Sequence, residues 1–145
     1  MLLELLATFC TALFAGAAVY INFVEHPARM EVGTAAAVHE WRPSYRRATV
    51  MQASLAAVGA LSAVGAWIMG QDTVALIAGL VLGSVVPVTL LVIAPTNEAL
   101  QDPALDVSSA RAAELLRRWN RLHAVRSVAA VIALVLLLLD LGARL

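Results

Sequence analysis

The sequence predicts an all-α fold, a bundle of four transmembrane helices in which residues 1–145 form a single integral membrane domain. Hydrophobic residues make up 61% of the chain, against about 45–50% in soluble domains, and charged residues make up only 14%. The chain also contains four apolar runs, each close to the roughly 20 residues that cross a hydrocarbon core. These runs lie at about 5–24, 50–69, 73–94 and 122–139.

The first apolar run is predicted to stay in the membrane as a helix. No Lys or Arg precedes it, so it lacks the positive segment that opens a cleavable signal peptide. Pro27, just beyond the run, is expected to break this helix. Only Gly70-Gln71-Asp72 separates the second run from the third. Such a short connection predicts that these two helices are antiparallel neighbours.

The third apolar run carries small residues and an internal proline. Gly79 and Gly83 form a GxxxG face, which allows close helix packing either inside the bundle or in a homodimer. Pro87 removes one backbone hydrogen bond and is expected to bend the helix. Both features predict an irregular third helix that packs closely on a neighbour.

Arginine placement predicts the orientation in the inner (plasma) membrane. By the positive-inside rule, arginine-rich loops face the cytoplasm. Four crossings return the chain to its starting side, so both termini are predicted to be non-cytoplasmic. The arginines assigned to the two long loops are Arg29, Arg42, Arg46, Arg47, Arg111, Arg117, Arg118 and Arg121.

Charge and cysteine content exclude some functions. The formal net charge is zero, and the arginines sit beside acidic residues in the loops, so no long basic surface for nucleic acid is predicted. The single cysteine, Cys10, lies in an apolar run, which excludes an internal disulfide and a CxxC redox pair. The expected partners are the lipid bilayer and a lipophilic small molecule.

The fourth helix contains an arginine at membrane depth. The apolar stretch from Ser127 to Leu139 rises only about 20 Å, against a core of about 30 Å, so His123 and Arg126 are predicted to lie within the bilayer or at its edge. A charge there normally faces the bundle interior and pairs with another residue. Glu25 or Glu98 is the expected partner of Arg126, and snorkelling to lipid phosphates is the alternative.

Two histidines and two tryptophans each allow two interpretations. His26 and His123 are candidate acid–base groups or metal ligands. With Glu25 they would match the two-histidine, one-carboxylate set of non-haem iron. Trp41 and Trp119 either anchor helix ends at the membrane interface or wall a pocket for a flat aromatic ligand.

Four segments resemble the anthrone oxygenase-like family, small four-helix membrane proteins with a large uncharacterised bacterial branch. The segments are Asn22 to Arg29, Trp41 with Tyr45 to Gln52, Ala94 to Asn97 followed by Leu100, and Trp119 with His123 and Arg126. Some fungal relatives oxidise an anthrone to an anthraquinone with molecular oxygen. The resemblance therefore implies an oxygenase-like oxidoreductase acting on a lipophilic, polycyclic aromatic or quinone-like substrate.

Chemistry at the matching positions suggests roles. An anthrone carries a methylene group that its neighbouring carbonyl and rings make acidic. A base, His123 or His26, would remove a proton from this methylene, and Arg126 and Asn97 would stabilise the oxyanion that forms. The reaction needs either no cofactor beyond O2, or a metal ion held by His26, His123 and Glu25. The expected substrate-binding residues are Trp41, Tyr45, Trp119, Gln52 and Asn22.

Non-catalytic functions remain as alternatives. The polar residues could pin the helix ends together in a structural or assembly subunit, or bind a small molecule for transport. A proton-coupled exporter is disfavoured, because such proteins place a carboxylate within the first span, whereas the run from Leu5 to Val24 contains none.

Overall fold

The computed structural model describes residues 1–70 and 73–144, and in these ranges every regular element is helical. All four long helices are apolar enough to cross a membrane, which confirms the predicted all-α, four-helix membrane fold. Gln71 and Asp72, predicted to form the tight connection, lie outside the described residues. The helices are α1 (Leu2–Glu31), α2 (Thr34–Gly70), α3 (Thr73–Gln101) and α4 (Ala110–Gly142).

The four helices form a square bundle. α1 packs mainly against α2 and α4, and α3 packs against the same two helices, so α1 and α3 are diagonal partners. The two chain ends meet at one end of the bundle, where Arg144 Nη1 lies 3.3 Å from Glu4 Oε1. The side of the membrane that this end faces stays a prediction.

The half of the bundle near the termini is held by an alanine-rich cluster, here called the alanine core. Small side chains let the helices approach closely. A Cβ added to Gly79 would lie 2.7 Å from Ala63 Cβ and 3.3 Å from the Ala60 carbonyl, so Gly79 packs α3 on α2 within the chain. The fully buried members include Ala7, Phe14, Ala15, Ala18, Ala56, Ala63, Ala75, Ala78, Leu82, Val85, Ala130 and Ala133.

The other half of the bundle is held by larger side chains, here called the aromatic core. Its buried residues come from all four helices and include both tryptophans singled out in the sequence. Met30, Tyr45 and Leu122 pack against it from partly buried positions. The buried members are Ile21, Ala37, Val38, Trp41, Ile93, Leu100, Ala112, Leu116 and Trp119.

The first connection is much shorter than the sequence suggested. The prediction of a long first loop is wrong, because Arg42, Arg46 and Arg47 lie inside α2. Only Val32 and Gly33 link α1 to α2. Gly33 has a φ of 99°, a left-handed conformation that glycine adopts without strain and that commonly ends helices.

Both α1 and α3 widen into a π-helical turn just before a proline. Pro27 has no N–H to donate to the Phe23 carbonyl one turn earlier, and the preceding segment Ile21–Glu25 is π-helical. In α3, Pro95 follows the π turn Thr89–Ile93 in the same way. The expected break at Pro27 is therefore wrong: the wider turn accommodates the proline, and α1 continues to Glu31.

The middle of α3 is also irregular, as the proline there predicts. Regular α-helix ends at Gly83, four residues before Pro87, whose missing N–H leaves the Gly83 carbonyl without its helical donor. Ser84 forms a turn, and its hydroxyl donates to the Val81 carbonyl at 2.6 Å. The chain then passes through Val85–Val88 into the second π turn.

The last connection is compact and ends in a capped helix. α4 begins at Ala110, directly after this connection. Ser109 accepts a hydrogen bond from the Ala112 N–H at 3.1 Å, which satisfies one free donor of the first turn. α4 thus runs without a break from this polar end of the bundle into the alanine core.

Candidate functional site

His123 is buried on α4 and held in one orientation by Asn22. Its Nδ1 lies 2.9 Å from Asn22 Oδ1. The Asn22 amide is oriented by Asn120, which accepts from Asn22 Nδ2 through its side chain at 2.7 Å and its carbonyl at 3.0 Å. The Asn22 oxygen therefore faces His123, so a neutral ring carries its proton on Nδ1 and keeps a free lone pair on Nε2.

Asn22 is a positioning residue for the α1–α4 contact. Its Oδ1 also accepts from the Ser127 hydroxyl at 2.5 Å, so one amide oxygen serves two groups on α4. Asn22 lies in the π turn Ile21–Glu25. π turns often occur at functional sites, and this one carries the amide that orients His123. The sequence placed Asn22 among the substrate-binding residues, whereas it lies outside the cavity lining.

Four aromatic rings pack in series across the aromatic core. Tyr45 stacks on Trp41 with ring centroids 4.8 Å apart, and Trp41 meets Trp119 edge to face at 5.6 Å. Trp119 stacks on His123 at 4.8 Å. Only 1% of Trp41 and 6% of Trp119 is exposed. Because an interface anchor must be exposed at the membrane surface, the interpretation of these two residues as anchors is wrong.

A small cavity lies beside this aromatic series. Its volume is about 20 Å³, room for about one water-sized group. The space between the rings is thus filled by the rings themselves, and a polycyclic ligand does not fit inside this cavity alone. The residues that line it include Trp41, Tyr45, Thr49, Gln52, Trp119, His123 and Arg126.

Arg126 lies at the edge of the cavity, and no carboxylate among the described residues pairs with it. Its Nη2 donates to Gln52 Oε1 at 2.8 Å, and its guanidinium carbon lies 5.5 Å from the centre of the Phe14 ring, within cation–π range. The expected ion pair with Glu25 or Glu98 is wrong. Glu98 is exposed, and Glu25 is bound by another arginine.

That arginine is Arg29, a buried residue whose importance the sequence did not reveal. It pairs with Glu25 one helical turn earlier and with Glu40 on α2. Ser44 also donates to the Glu25 carboxylate at 2.9 Å. The i,i+4 spacing of Glu25 and Arg29 was the available signal, and this local pair leaves Arg126 without either acidic partner.

The expected metal ligands are not assembled. Among the described residues, no three His, Cys, Asp or Glu side chains form a group that could hold a metal ion. Glu25 is occupied by Arg29 and Ser44. His26 packs against Trp119 with ring centroids 5.8 Å apart, and it does not line the cavity.

Asn97 reaches the site through Tyr45 rather than directly. Its Nδ2 donates to the Tyr45 hydroxyl at 3.1 Å, and Tyr45 lines the cavity whereas Asn97 does not. Asn97 is therefore placed to position Tyr45. This geometry differs from the expected direct contact with an oxyanion.

Several buried polar atoms around the cavity have no hydrogen-bond partner in the described residues. Such atoms normally find a partner in a folded protein, because leaving them unpaired costs about 1–3 kcal/mol each. Four of them are donors of residues that line the cavity. Arg29 Nε pairs with the Glu40 carboxylate, which leaves three donors without a partner: Trp41 Nε1, Gln52 Nε2 and Arg126 Nε. A ligand oxygen in this region would supply the missing acceptor.

Comparison with known proteins supplies the family. The family model described as anthrone oxygenase matches residues 41–136, well over half of the chain. The chain belongs to the anthrone oxygenase family. The match covers Trp41, Gln52, Trp119, His123 and Arg126, so it contains all the cavity residues with unpaired donors.

The family match begins after α1, which carries Asn22, Glu25 and His26. Membership in the anthrone oxygenase family and four membrane-competent helices support an oxygenase-like, multi-pass membrane protein. Comparison with curated proteins and with solved structures gives no significant match.

Proposed function

We propose that this anthrone oxygenase family member is a membrane enzyme that oxidises a lipophilic polycyclic aromatic or quinone-like substrate with O2. One observation carries the proposal. His123 presents an imidazole with its proton held on Nδ1 by Asn22. One helical turn away, the Arg126 cation has no carboxylate partner in the part of the chain that the structure describes. A base and an uncompensated cation side by side suit chemistry that forms an anion.

His123 is the proposed general base. An anthrone carries a methylene group made acidic by the carbonyl and the two flanking rings. The lone pair on His123 Nε2 takes one methylene proton, and the electron pair moves onto the carbonyl oxygen to give an enolate. Asn22 stabilises the imidazolium that forms, because its Oδ1 accepts a hydrogen bond from Nδ1–H. A positioned base of this kind contributes about 10²–10⁴-fold.

Arg126 and Gln52 are the proposed oxyanion donors. Gln52 Oε1 orients the guanidinium, which leaves Arg126 Nε and Gln52 Nε2 as buried donors without partners. The developing negative oxygen would accept from both. Donors fixed before the reaction, in a site shielded from water, stabilise such charge strongly.

The proposed reaction needs no external reductant, because the substrate supplies the electrons. The enolate passes one electron to O2, and the resulting pair combines to form a carbon–oxygen bond at the former methylene. His123 returns its proton to give a hydroperoxide. Loss of the second hydrogen from that carbon and cleavage of the O–O bond release water and leave a carbonyl. One anthrone and one O2 thus give one anthraquinone and one water.

The proposal is tested with protein purified into lipid nanodiscs and anthrone as the probe. We expect O2 uptake and anthraquinone formation in a one-to-one ratio. His123→Ala should lower the rate by about 10²–10⁴-fold while the protein stays folded. His39→Ala is the matched control, because His39 is an exposed histidine on α2 away from the cavity.

Two results would overturn the proposal. Folded wild-type protein that does not accelerate anthrone oxidation above the rate of empty nanodiscs removes this substrate class. Equal rates for wild type and folded His123→Ala remove His123 as the base. A His123→Ala protein that cannot fold would favour the alternative in which His123 only holds the helix ends together. His123→Gln is then the second variant in which the rate of folded protein is measured.

The proposed orientation places the aromatic core toward the cytoplasm in the inner membrane, as the positive-inside rule requires. Exposed arginines lie at this end on two helices, including Arg46 and Arg47 on α2 and Arg118 and Arg121 on α4. Cysteines introduced at Ser108 and Arg144 in intact cells should react with a membrane-impermeant thiol reagent only at Arg144. The reverse pattern contradicts the orientation.

A further inference from the structure

A second cavity, here called the lateral groove, lies between α2 and α3 and adjoins the small cavity. Its volume is about 120 Å³, six times that of its neighbour. The two spaces share Thr49, Gln52 and Arg126 in their linings. The lateral groove is therefore a second route to the same two donors.

The mouth of the lateral groove opens on the lipid-facing side of the bundle. Ala53 on α2 and Val86 and Leu90 on α3 line it and are exposed on the bundle surface. All three are apolar and lie in helices that cross the membrane. The mouth thus offers an apolar surface continuous with the acyl chains.

The irregular part of α3 produces the lateral groove. α2 and α3 pack closely along Thr73–Gly83 but make few contacts beyond it. Val85, Val86, Thr89 and Leu90, which line the groove, come from the segment between the Ser84 turn and the second π turn. Opposite them α2 presents Thr49, Ala53 and Ala56 beside Gln52, and these small side chains leave the space open.

The floor of the lateral groove combines apolar surface with unpaired donors. Phe14 is fully buried, and only 2% of Gln52 is exposed. Gln52 Nε2 and Arg126 Nε have no partner among the described residues, and the one acceptor between them, Gln52 Oε1, is taken by Arg126. The inner end therefore suits an oxygen that accepts hydrogen bonds, preferably one with negative charge, on an apolar body.

We infer that the lateral groove is the entrance and apolar subsite through which a lipophilic ligand reaches Arg126 directly from the bilayer, oxygen first. The ligand class is an uncharged aromatic ketone or phenol, which enters from the bilayer and does not have to cross water. The inference rests on the proposed function only for the identity of the substrate, because the groove, its mouth and its donors are features of the fold. Ala53, at the mouth, is the residue whose size controls access.

The test uses anthraquinone, the unreactive product, so that binding is measured without turnover. Wild-type protein in nanodiscs should bind it and show quenched tryptophan fluorescence, because Trp41 and Trp119 line the adjoining cavity. Ala53→Phe fills the mouth and should weaken binding roughly tenfold or more. Ala12→Phe is the matched control, since Ala12 is an exposed alanine on α1 outside the groove, and it should bind like wild type.

A second variant tests the mouth of the groove from the other helix, so that the experiment still decides if Ala53→Phe does not fold. Val86→Phe narrows the mouth from α3 and should weaken binding in the same direction. Wild-type protein without anthraquinone binding, or equal binding by wild type and both folded mouth variants, overturns the inference. Anthraquinone binding that Ala53→Phe abolishes, in a protein that does not oxidise anthrone, would uphold the groove while the proposed function fails.

Discussion

The two halves of the bundle differ in the size of their packed side chains and in how their buried polar groups are paired. In the alanine core, helices touch through Ala and Gly, and the buried Thr11 hydroxyl is satisfied by the Ala7 carbonyl at 2.7 Å. In the aromatic core and the layer beside it, side chains are large and polar groups are buried. All the buried side-chain atoms found without partners in the described ranges belong to this second half of the bundle.

The distribution of unpaired buried donors indicates which half of the bundle stabilises the fold. Unpaired buried donors reduce stability, so their concentration in one half indicates a site that a ligand completes. The described residues of the close-packed half include no such groups, and this half holds the helices together. Most of a protein satisfies the rules of packing and hydrogen bonding, and the exceptions concentrate at functional sites. This bundle divides along its axis in that way.

After substitution of His123, the largest expected effect is on catalysis at Arg126. Arg126→Met should lower the rate of anthrone oxidation by about 10²–10³-fold, as loss of an oxyanion donor does. The unfolding midpoint in detergent should stay constant or rise, because a buried cation without a carboxylate partner is removed. Arg121→Met, at an exposed arginine paired with Glu114, is the control and should change neither quantity. Loss of folded protein with an unchanged rate per folded molecule would reverse the comparison.

The next effect concerns the alanine core. Gly79→Leu should destabilise the fold by about 1–3 kcal/mol, because even its Cβ would meet Ala63 at 2.7 Å. Gly16→Leu is the control, since a Cβ there meets nothing within 4 Å. Unfolding in detergent at increasing denaturant measures both. A Gly79→Leu protein as stable as Gly16→Leu would show that close packing at this end does not hold the helices.

A smaller effect is expected at Ser127, between the two halves. Ser127→Ala removes one hydrogen bond to Asn22 and should cost about 0.5–1.5 kcal/mol. Anthrone oxidation should be largely retained, because Asn22 still orients His123 through Nδ1. The rate and the midpoint are compared with those of the exposed substitution Ser54→Ala. Complete loss of activity would make Ser127 part of the reacting site.

The smallest effect is expected where the termini meet. Arg144→Ala removes contacts with Glu4 and Asp140, and partly exposed ion pairs contribute only about 0–1 kcal/mol. The midpoint of unfolding should move little and should move less as salt increases. A large, salt-independent loss would mean that the end of the bundle, rather than the alanine core, fixes the helix arrangement.

Local sequence pattern predicted the helices and the faces of the site. Four apolar runs correspond to four helices, and three residues that the sequence named as site candidates, Trp119, His123 and Arg126, all line the small cavity from α4. Pro87 correctly marked the irregular part of α3. These predictions succeed because they depend on periodicity and backbone chemistry within one helix.

The partners of the polar groups could not be predicted in the same way. Asn22 and His123 are 101 positions apart, and Gln52 and Arg126 are 74 apart, so their pairing depends on how whole helices pack. The boundary errors have a local cause. Polar residues around Arg42 and Arg46 were interpreted as a loop, whereas helices in membrane proteins continue past the hydrocarbon core while their backbone stays satisfied internally.

The π turn in α1 also determines where this chain can change length. Each residue of an α-helix turns the chain by about 100°, so deleting one residue from the regular part of α1 would rotate the whole segment before it away from α2 and α4. The π turn Ile21–Glu25 already holds one residue more than an α-helical turn. Deleting Phe23, which is 77% exposed, would convert it to a regular turn and keep both flanks in register. A variant of this chain one residue shorter at this point is therefore expected to keep the same bundle.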